Sequence, residues 1–592
     1  MNKDKIILGI HYGHDATAVL IKDGKILEAM SEERLSKQKK HWGFPHLSLD
    51  YIKSKHNIDN FGKVVVVGEF LEYGAAIFNT KENIIKENKN PKKVNYYIRS
   101  LGFRFKFLGK LVALRDAILE KKVNSKRVKL EVENYIKNIF PESEIEYIHH
   151  HDAHAYAAIP FMRDHKKSIV LTCDGAGDDA CGSVSIYENG KMSLKSRFKV
   201  MNSLGLLYCA FVDLLGMKRN EHEFKVMGLA PYAKASSGEK VYNELREVIW
   251  YDKENMTLDA KFDMTKATAY LIAREFNLRH RFDSLAYGVQ KLTESILVEM
   301  TSHVIEKFNC GNIAVGGGVF MNVKANQKIL ALDEVQDFTV SPSCGDESLA
   351  IGAAVYGYIK HYDYQDIKKV ENIYWGSEYS DQEIKKAIDE YQFSKENQNK
   401  ISVEYINPTL ENNIEKRVAS LLAQNNVVGR LSDRSEWGAR ALGNRSILAN
   451  PSSMDNVKLI NEMIKNRDFW MPFATSILAE DSHLYLNNEK MKLAPYMAIT
   501  FETKEVAQKN IIAALHPYDM TSRPQTVTKE ANKKYHNIIS EFKSLTGISG
   551  ILNTSFNLHG EPNVESPYDA IRTFDLSGMK YVAIGNYLLS KK

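Results

Sequence analysis

Apolar and polar positions alternate in a plan that occurs twice along the first third of the chain. Residues 6–29, IILGIHYGHDATAVLIKDGKILEA, run from an apolar stretch through a small polar turn holding His14 and Asp15 into a second apolar stretch, then through Lys22-Asp23-Gly24 into a third. Residues 168–195, SIVLTCDGAGDDACGSVSIYENGKMSLK, repeat the plan, with Asp174 in the first turn and Asn189-Gly190 in the second. Asp-Gly and Asn-Gly between apolar runs signal hairpins, because these residues tolerate the positive φ that a tight hairpin turn requires. Each copy therefore predicts strand, glycine turn, strand, hairpin, strand, and the repetition predicts a duplicated α/β domain.

The second copy continues into a helix-prone stretch over residues 284–308 and then an apolar run ending at Gly316-Gly317-Gly318. A strand that stops at a glycine triplet ahead of a helix gathers backbone N–H groups at one point, which suits a phosphate or a ribose. Between Ile367 and Asn413 the pattern turns polar and low in glycine, as expected of a connector. Beyond it, apolar strands alternate again with helical stretches. The chain thus divides into residues 1–365, made of two lobes over 1–160 and 161–365, a connector over 366–410, and a second α/β domain over 411–592.

Composition narrows the picture. At 592 residues two or more cores are expected. The five cysteines, Cys173, Cys181, Cys209, Cys310 and Cys344, are scattered and form no CxxC pair, which favours a reducing compartment over a disulfide framework or a cysteine-ligated zinc site. No apolar run approaches the roughly 20 residues of a membrane helix, and the N-terminus has no small-residue cleavage site, so a cytoplasmic protein with no membrane partner is expected. A net charge of +5 is small for this length and implies no overall field for nucleic acid. The Lys- and Arg-rich stretch over residues 81–129 reads as a solvated helical insertion.

The sharpest chemical signal is IHHHDAHAYAA. It sets His150 and His154 four residues apart, on one face of a helix, where two imidazoles can share an ion. Asp174, in the repeated first turn, and Asp346, in CGDES, supply two carboxylates. A His2Asp2 set suits a divalent ion such as Fe(II), Zn(II) or Mn(II) with a position left open for substrate, rather than a closed structural site. In the C-terminal half, Arg440, Arg445, Lys465, Arg467 and Arg523 are cations that do not titrate near neutral pH and can hold phosphate.

The strand plan resembles the duplicated ribonuclease-H-like fold of the actin, sugar-kinase and heat-shock ATPase superfamily. The motifs IHYGHDATAVLI, EERLSKQKKHWGFP, HHHDAH, CDGAGD, SLGLLY, FKVMGLAPYA, GGGVFMN and CGDESLAIGAA resemble, in that order, the O-carbamoyltransferase family of nodulation-factor, cephamycin and aminoglycoside tailoring enzymes. EWGARALGNRSIL, INEMIKNRDFWMPFA and LNTSFNLHGEP resemble that family's C-terminal domain, a YrdC-like α/β domain that forms adenylates. The resemblance implies an enzyme of natural-product, glycan or antibiotic tailoring that makes carbamoyl-adenylate from carbamoyl phosphate and ATP, with Mg(II). It then places the carbamoyl group on a hydroxyl of a small molecule or sugar.

It further implies that Arg440, Lys465 and Arg523 bind carbamoyl phosphate with Asn553 and Ser555, and that Lys465 and Ser555 take part in adenylate formation. Arg445 and Arg467 would contact the nucleotide there. Gly316, Gly317, Gly318, Asn322, Lys225 and Lys39 would hold the AMP portion in the N-terminal domain, where His14 orients the carbamoyl group or accepts the acceptor proton. Trp470, where an arginine is common, and Glu221-His222-Glu223-Phe224 depart from the pattern. The resemblance leaves open a homodimer, a threonylcarbamoyl-adenosine tRNA-modifying enzyme and a non-catalytic nucleotide-binding regulator.

Overall fold

The structure is a computed structural model that describes residues 5–58, 61–68, 125–163, 167–409, 411–465 and 467–592. Most of the basic stretch 81–129 lies outside the described residues. The chain divides into two compact units, Met1–Glu32 with His41–Lys369, and Glu33–Lys40 with Val370–Lys592.

In the first unit, β1 (Ile6–His11), β2 (Thr17–Lys22), β3 (Lys25–Ser31), β4 (Lys63–Val67) and β5 (Glu144–Ile148) form a sheet of order β3-β2-β1-β4-β5. A second sheet has β6 (Lys167–Gly177), β7 (Ala180–Glu188), β8 (Lys191–Lys199), β9 (Asn312–Gly316) and β10 (Asp337–Val340) in the order β8-β7-β6-β9-β10. In both, the first three strands are antiparallel and the last two run parallel to the first. This is the duplicated ribonuclease-H-like topology. Asp23 and Asn189 take the left-handed conformation in the two hairpins, at φ 49° each, followed by Gly24 and Gly190 at φ 79° each. The strands of the first sheet are apolar on both faces because both faces are covered. Leu8, Ile10, Leu20, Val64 and Val66 pack one side with Ile136 and Phe140.

Helix α1 (His150–Ala158) links the lobes, α2 (Phe282–Phe308) and α3 (Val323–Leu330) flank β9, and α4 (Leu349–His361) follows β10. The backbones of α1 and α4 approach so closely that a Cβ on Gly352 would lie 1.7 Å from the Ala153 carbonyl oxygen. Small residues therefore clamp the histidine helix to the helix that follows Asp346.

The second unit is built on an eight-stranded sheet of β11 (Ile401–Tyr405), β12 (Val428–Leu431), β13 (Arg445–Ala449), β14 (Ala474–Leu478), β15 (Pro524–Val527), β16 (Gly550–Ser555), β17 (Tyr581–Ile584) and β18 (Tyr587–Lys591). The order is β11-β18-β17-β12-β13-β16-β14-β15. Ile447, Leu552, Phe556, Ile571, Phe574 and Val582 form part of its core.

Two boundaries differ from the sequence reading. The stretch read as a connector is part of the second unit: β11 pairs with β18, and the Gly376 N–H donates to the Ser435 carbonyl at 3.0 Å. Residues 33–40, read as part of the N-terminal domain, also belong to the second unit, where Arg34 donates to the Gly438 carbonyl at 3.0 Å and Lys37 pairs with Asp569. Polar composition cannot distinguish a linker from an edge strand whose side chains face water.

Candidate metal centre and anion pocket

Among the described residues, each unit holds a cluster of ionisable side chains, a His–Asp set in the first and a set of cations in the second. In the first unit, His150 and His154 project from one face of α1 toward Asp174 on β6 and Asp346 at the start of the turn into α4. One donor atom from each of the four lies within 4.8 Å of the others. His154 Nε2 is 3.0 Å from Asp174 Oδ2 and 3.8 Å from Asp346 Oδ1, and His150 Nε2 is 3.9 Å from both carboxylates.

Supporting contacts aim these side chains. The His154 Nδ1 atom lies 3.2 Å from Ser348 Oγ, the Asp178 carboxylate accepts the His150 backbone N–H at 2.7 Å, and the His149 side chain caps the helix by accepting the His151 N–H. Such contacts orient ligands and fix their tautomers. Burial and the neighbouring Asp174 push the Asp346 carboxyl up to about 7. His150 moves up to about 9: burial opposes the shift, but the nearby Asp174 and Asp346 carboxylates outweigh it. His150 Nε2 is buried without a hydrogen-bond partner. Two crowded carboxylates and an orphaned buried imidazole nitrogen fit a divalent ion held by His150, His154, Asp174 and Asp346.

The glycine triplet lies against this cluster. A Cβ on Gly316 would sit 2.8 Å from the His154 carbonyl oxygen, one on Gly317 2.4 Å from the Cys173 carbonyl oxygen, and one on Gly318 3.0 Å from Asp174 Oδ1. The triplet thus has a packing reason independent of any phosphate. Asn322 caps α3, accepting the Ala325 N–H at 3.1 Å, and its amide exchanges hydrogen bonds with Gln290. Lys225 lies on the helix Glu223–Leu229 of the same unit. His14 borders the cluster closely enough for its charge to act on Asp346.

In the second unit, Lys465 ends a π-helical turn, Asn461–Lys465, that follows the helix Met454–Ile460. Only 4 % exposed, it donates to Asn557 Oδ1 at 2.6 Å, to the Asn557 carbonyl at 3.2 Å and to Ser555 Oγ at 3.2 Å. His559 Nδ1 donates in turn to the Lys465 carbonyl at 2.6 Å. Burial, then Arg467 and Lys39, hold the Lys465 ammonium well below its ordinary range. Burial and Arg440 bring Arg467 down to about 10, and burial with Arg440 and Arg467 acts on Arg523 in the same direction. Among the described residues no carboxylate stands among the causes of these three shifts. Arg467 donates to Thr554 Oγ1 at 2.9 Å. Like charges gathered in a partly desolvated place suit an anionic ligand.

The structure therefore brings Arg440, Lys465, Arg467, Arg523 and Ser555 into electrostatic reach of one another and adds Lys39 from the 33–40 segment. Asn557, Thr554 and His559 were missed; the second asparagine of LNTSFN, two residues beyond Ser555, was the available signal. Asn553 lies deeper, donating to the Ala441 carbonyl, Ser476 and Gln525. Arg445 requires correction. Fully buried, its guanidinium donates to the carbonyls of Ser432, Asp433, Asn444, Glu565 and Ser377. It is a strut that ties residues 376–377 to the sheet and is not available to a nucleotide.

Family models match nearly all of this chain: the carbamoyltransferase N-terminus over residues 6–355 and the carbamoyltransferase C-terminus over 419–591. The chain belongs to the carbamoyltransferase family, and it is an enzyme of that class. It is 32 % identical to an uncharacterized protein of Methanocaldococcus jannaschii over 99 % of this chain and 100 % of the relative. It is 28 % identical to nodulation protein NolNO of Sinorhizobium fredii over 98 % of this chain and 79 % of the relative. Full-length HypF in a phosphate- and nucleotide-bound form is similar at 10 % identity and a TM-score of 0.33, over 61 % of this chain and 56 % of that one. Among the described residues no helix is long and apolar enough to cross a membrane.

Proposed function

We propose that the protein is an O-carbamoyltransferase that works in two steps, one at each charged site. In the second unit, Arg440, Lys465 and Arg523 bind carbamoyl phosphate, with Ser555 as a neutral partner, and Arg467 contacts ATP bound with Mg(II). Water cleaves carbamoyl phosphate to carbamate and inorganic phosphate, and a carbamate oxygen then attacks the α-phosphate of ATP, giving carbamoyl-adenylate and expelling pyrophosphate. Fixed cations speed such a step by positioning the anions and stabilising charge in a water-poor site. Lys465 suits this role because its neighbours Ser555 and Asn557 are neutral, so its charge is spent on the ligand rather than on a protein carboxylate.

In the first unit, the AMP portion rests against Gly316, Gly317, Gly318, Asn322 and Lys225. A divalent ion on His150, His154, Asp174 and Asp346, with Fe(II) favoured, would polarise the phosphate or carbamoyl oxygens when bound. His14 accepts the proton of the acceptor hydroxyl, which belongs to a small molecule or a sugar.

The observation that carries this reading is the group of buried Lys465 and half-buried Arg467 and Arg523, whose charges press on one another. The test is pyrophosphate release from ATP by the purified chain. Release is expected to require carbamoyl phosphate and to vanish in Lys465→Ala. Release that needs threonine and bicarbonate would make the protein a threonylcarbamoyl-adenylate former, and no release under either condition would favour a regulator that binds nucleotide without chemistry.

A further inference from the structure

His14 is held by its neighbours in a way the two-step scheme does not require of an ordinary turn residue. Its backbone is pinned twice. Gly13–His14 pairs as a two-residue strand with Trp42–Gly43, and His11 Nε2 donates to the His14 carbonyl at 2.8 Å. Its ring is pinned by the next residue: His14 Nδ1 is 2.8 Å from Asp15 Oδ2. That contact is possible because Asp15 adopts the left-handed conformation, at φ 59°, uncommon for a residue with a side chain. Thr17 holds the kink by donating its hydroxyl to the Asp15 carbonyl at 2.9 Å. Asp15 is 8 % exposed and His14 25 %, so the carboxylate sits inside and the imidazole faces outward.

A backbone outlier maintained by specific hydrogen bonds, and serving to bring a buried carboxylate onto a histidine, points to a purpose beyond turn formation. We infer that Asp15 is a positioning residue for His14. Its carboxylate accepts a hydrogen bond from the His14 Nδ1–H, fixes the tautomer with the lone pair on Nε2, and stabilises the imidazolium that forms when Nε2 accepts the hydroxyl proton. This rests on the transfer step proposed above. In that step the acceptor O–H proton passes to His14 Nε2, the oxygen bonds to the carbamoyl carbon, and the carbon–oxygen bond to phosphate breaks. AMP leaves with the electron pair, and His14 returns its proton to solvent. A carboxylate that sets a catalytic imidazole's tautomer and orientation is a recurrent arrangement on unrelated folds.

The full chain, with 15N-labelled histidine, tests the tautomer by long-range 1H–15N correlation, the His14 signals being assigned by their loss in His14→Gln. Wild type is expected to carry the proton on Nδ1, and Asp15→Asn to lose that preference. A proton on Nε2 in wild type, or an unchanged tautomer in Asp15→Asn, would overturn the assignment without reference to activity. With carbamoyl phosphate, ATP and glycerol as a hydroxyl probe, Asp15→Asn is expected to lower the transfer kcat on the order of 10²- to 10⁴-fold at unchanged KM for glycerol. Asp15→Glu should restore part of the rate, and transfer by Asp15→Asn equal to wild type would also refute the role. Carbamoyl-phosphate-dependent pyrophosphate release should be the same in Asp15→Asn and Asp15→Glu as in wild type. Its absence from wild type would refute the adenylate scheme while leaving the tautomer result standing.

Discussion

The His–Asp cluster of the first unit and the cationic group of the second are both partly buried and both crowded with charge, but they meet the crowding differently. In the first, acids and bases alternate. His154 contacts Asp174, His150 moves up to about 9, and Asp346 moves up to about 7, so the cluster can hold a proton where an ion would go. In the second, Lys465, Arg467 and Arg523 are all pushed down, by burial and by one another's charges or that of Arg440. A His–Asp set compensates itself by titration. An Arg–Lys set cannot, because guanidinium stays charged across the accessible range, and only an anionic ligand relieves it. One site is therefore built to exchange protons for a cation, the other to wait for phosphate.

Removing a ligand of the first site tests this contrast with the largest effect. Asp174→Ala is expected to lower divalent-metal affinity by more than about 100-fold, measured as metal content after dialysis, and to abolish transfer while sparing pyrophosphate release. Loss of release as well would show that the two sites do not act separately.

Arg445→Met sharpens the distinction between a cation that binds and one that braces. It leaves Glu565 without its buried counter-charge and orphans the carbonyls, so a loss of roughly 3–5 kcal/mol is expected by chemical denaturation. The KM for ATP in the folded fraction should stay unchanged. Arg523→Met should do the reverse. The KM for carbamoyl phosphate is expected to rise about 30-fold, for the loss of about 2 kcal/mol of charged hydrogen bonding. The anion-free protein should melt at a higher temperature, because a buried like-charge repulsion has been removed, and a lower melting temperature would mean that Arg523 is compensated in the free protein.

The smallest effect is a pH slope. His150 has a folded pKa raised from 6.5 to about 9. Its contribution to stability is therefore complete below pH 6.5 and disappears as pH rises through 9. Metal-free protein should lose up to about 1.4 kcal/mol per pH unit across that window. Saturating Mn(II) should abolish the slope, since a bound ligand histidine is already deprotonated. A slope that persists with metal would place the titrating group elsewhere.

Much of the first site was legible because its information is local. HHHDAH on a helix places His150 and His154 one turn apart wherever the helix packs, and the repeated strand plan marks the turn that carries Asp174. The anion pocket was legible only as a set of residue types. Arginine in a small-residue motif reads the same whether it faces a ligand, like Arg467, or five carbonyls, like Arg445, because burial and hydrogen-bond satisfaction are properties of the packed interior. Asp15 and Asn557 were overlooked for the same reason. Each acts on a named neighbour, His14 or Lys465, through a distance that sequence adjacency alone does not specify.

Sequence by itself determined the duplicated α/β plan, the hairpins at Asp23-Gly24 and Asn189-Gly190, the His–Asp set and the carbamoyltransferase motifs, because periodicity, turn chemistry and helical spacing act over a few residues. Tertiary structure alone decided that residues 33–40 and 370–410 belong with the C-terminal sheet, that Arg445 is a strut, and that Lys39 acts on Lys465. Those outcomes depend on which groups lose their water together, and long-range packing, which no local pattern encodes, sets that.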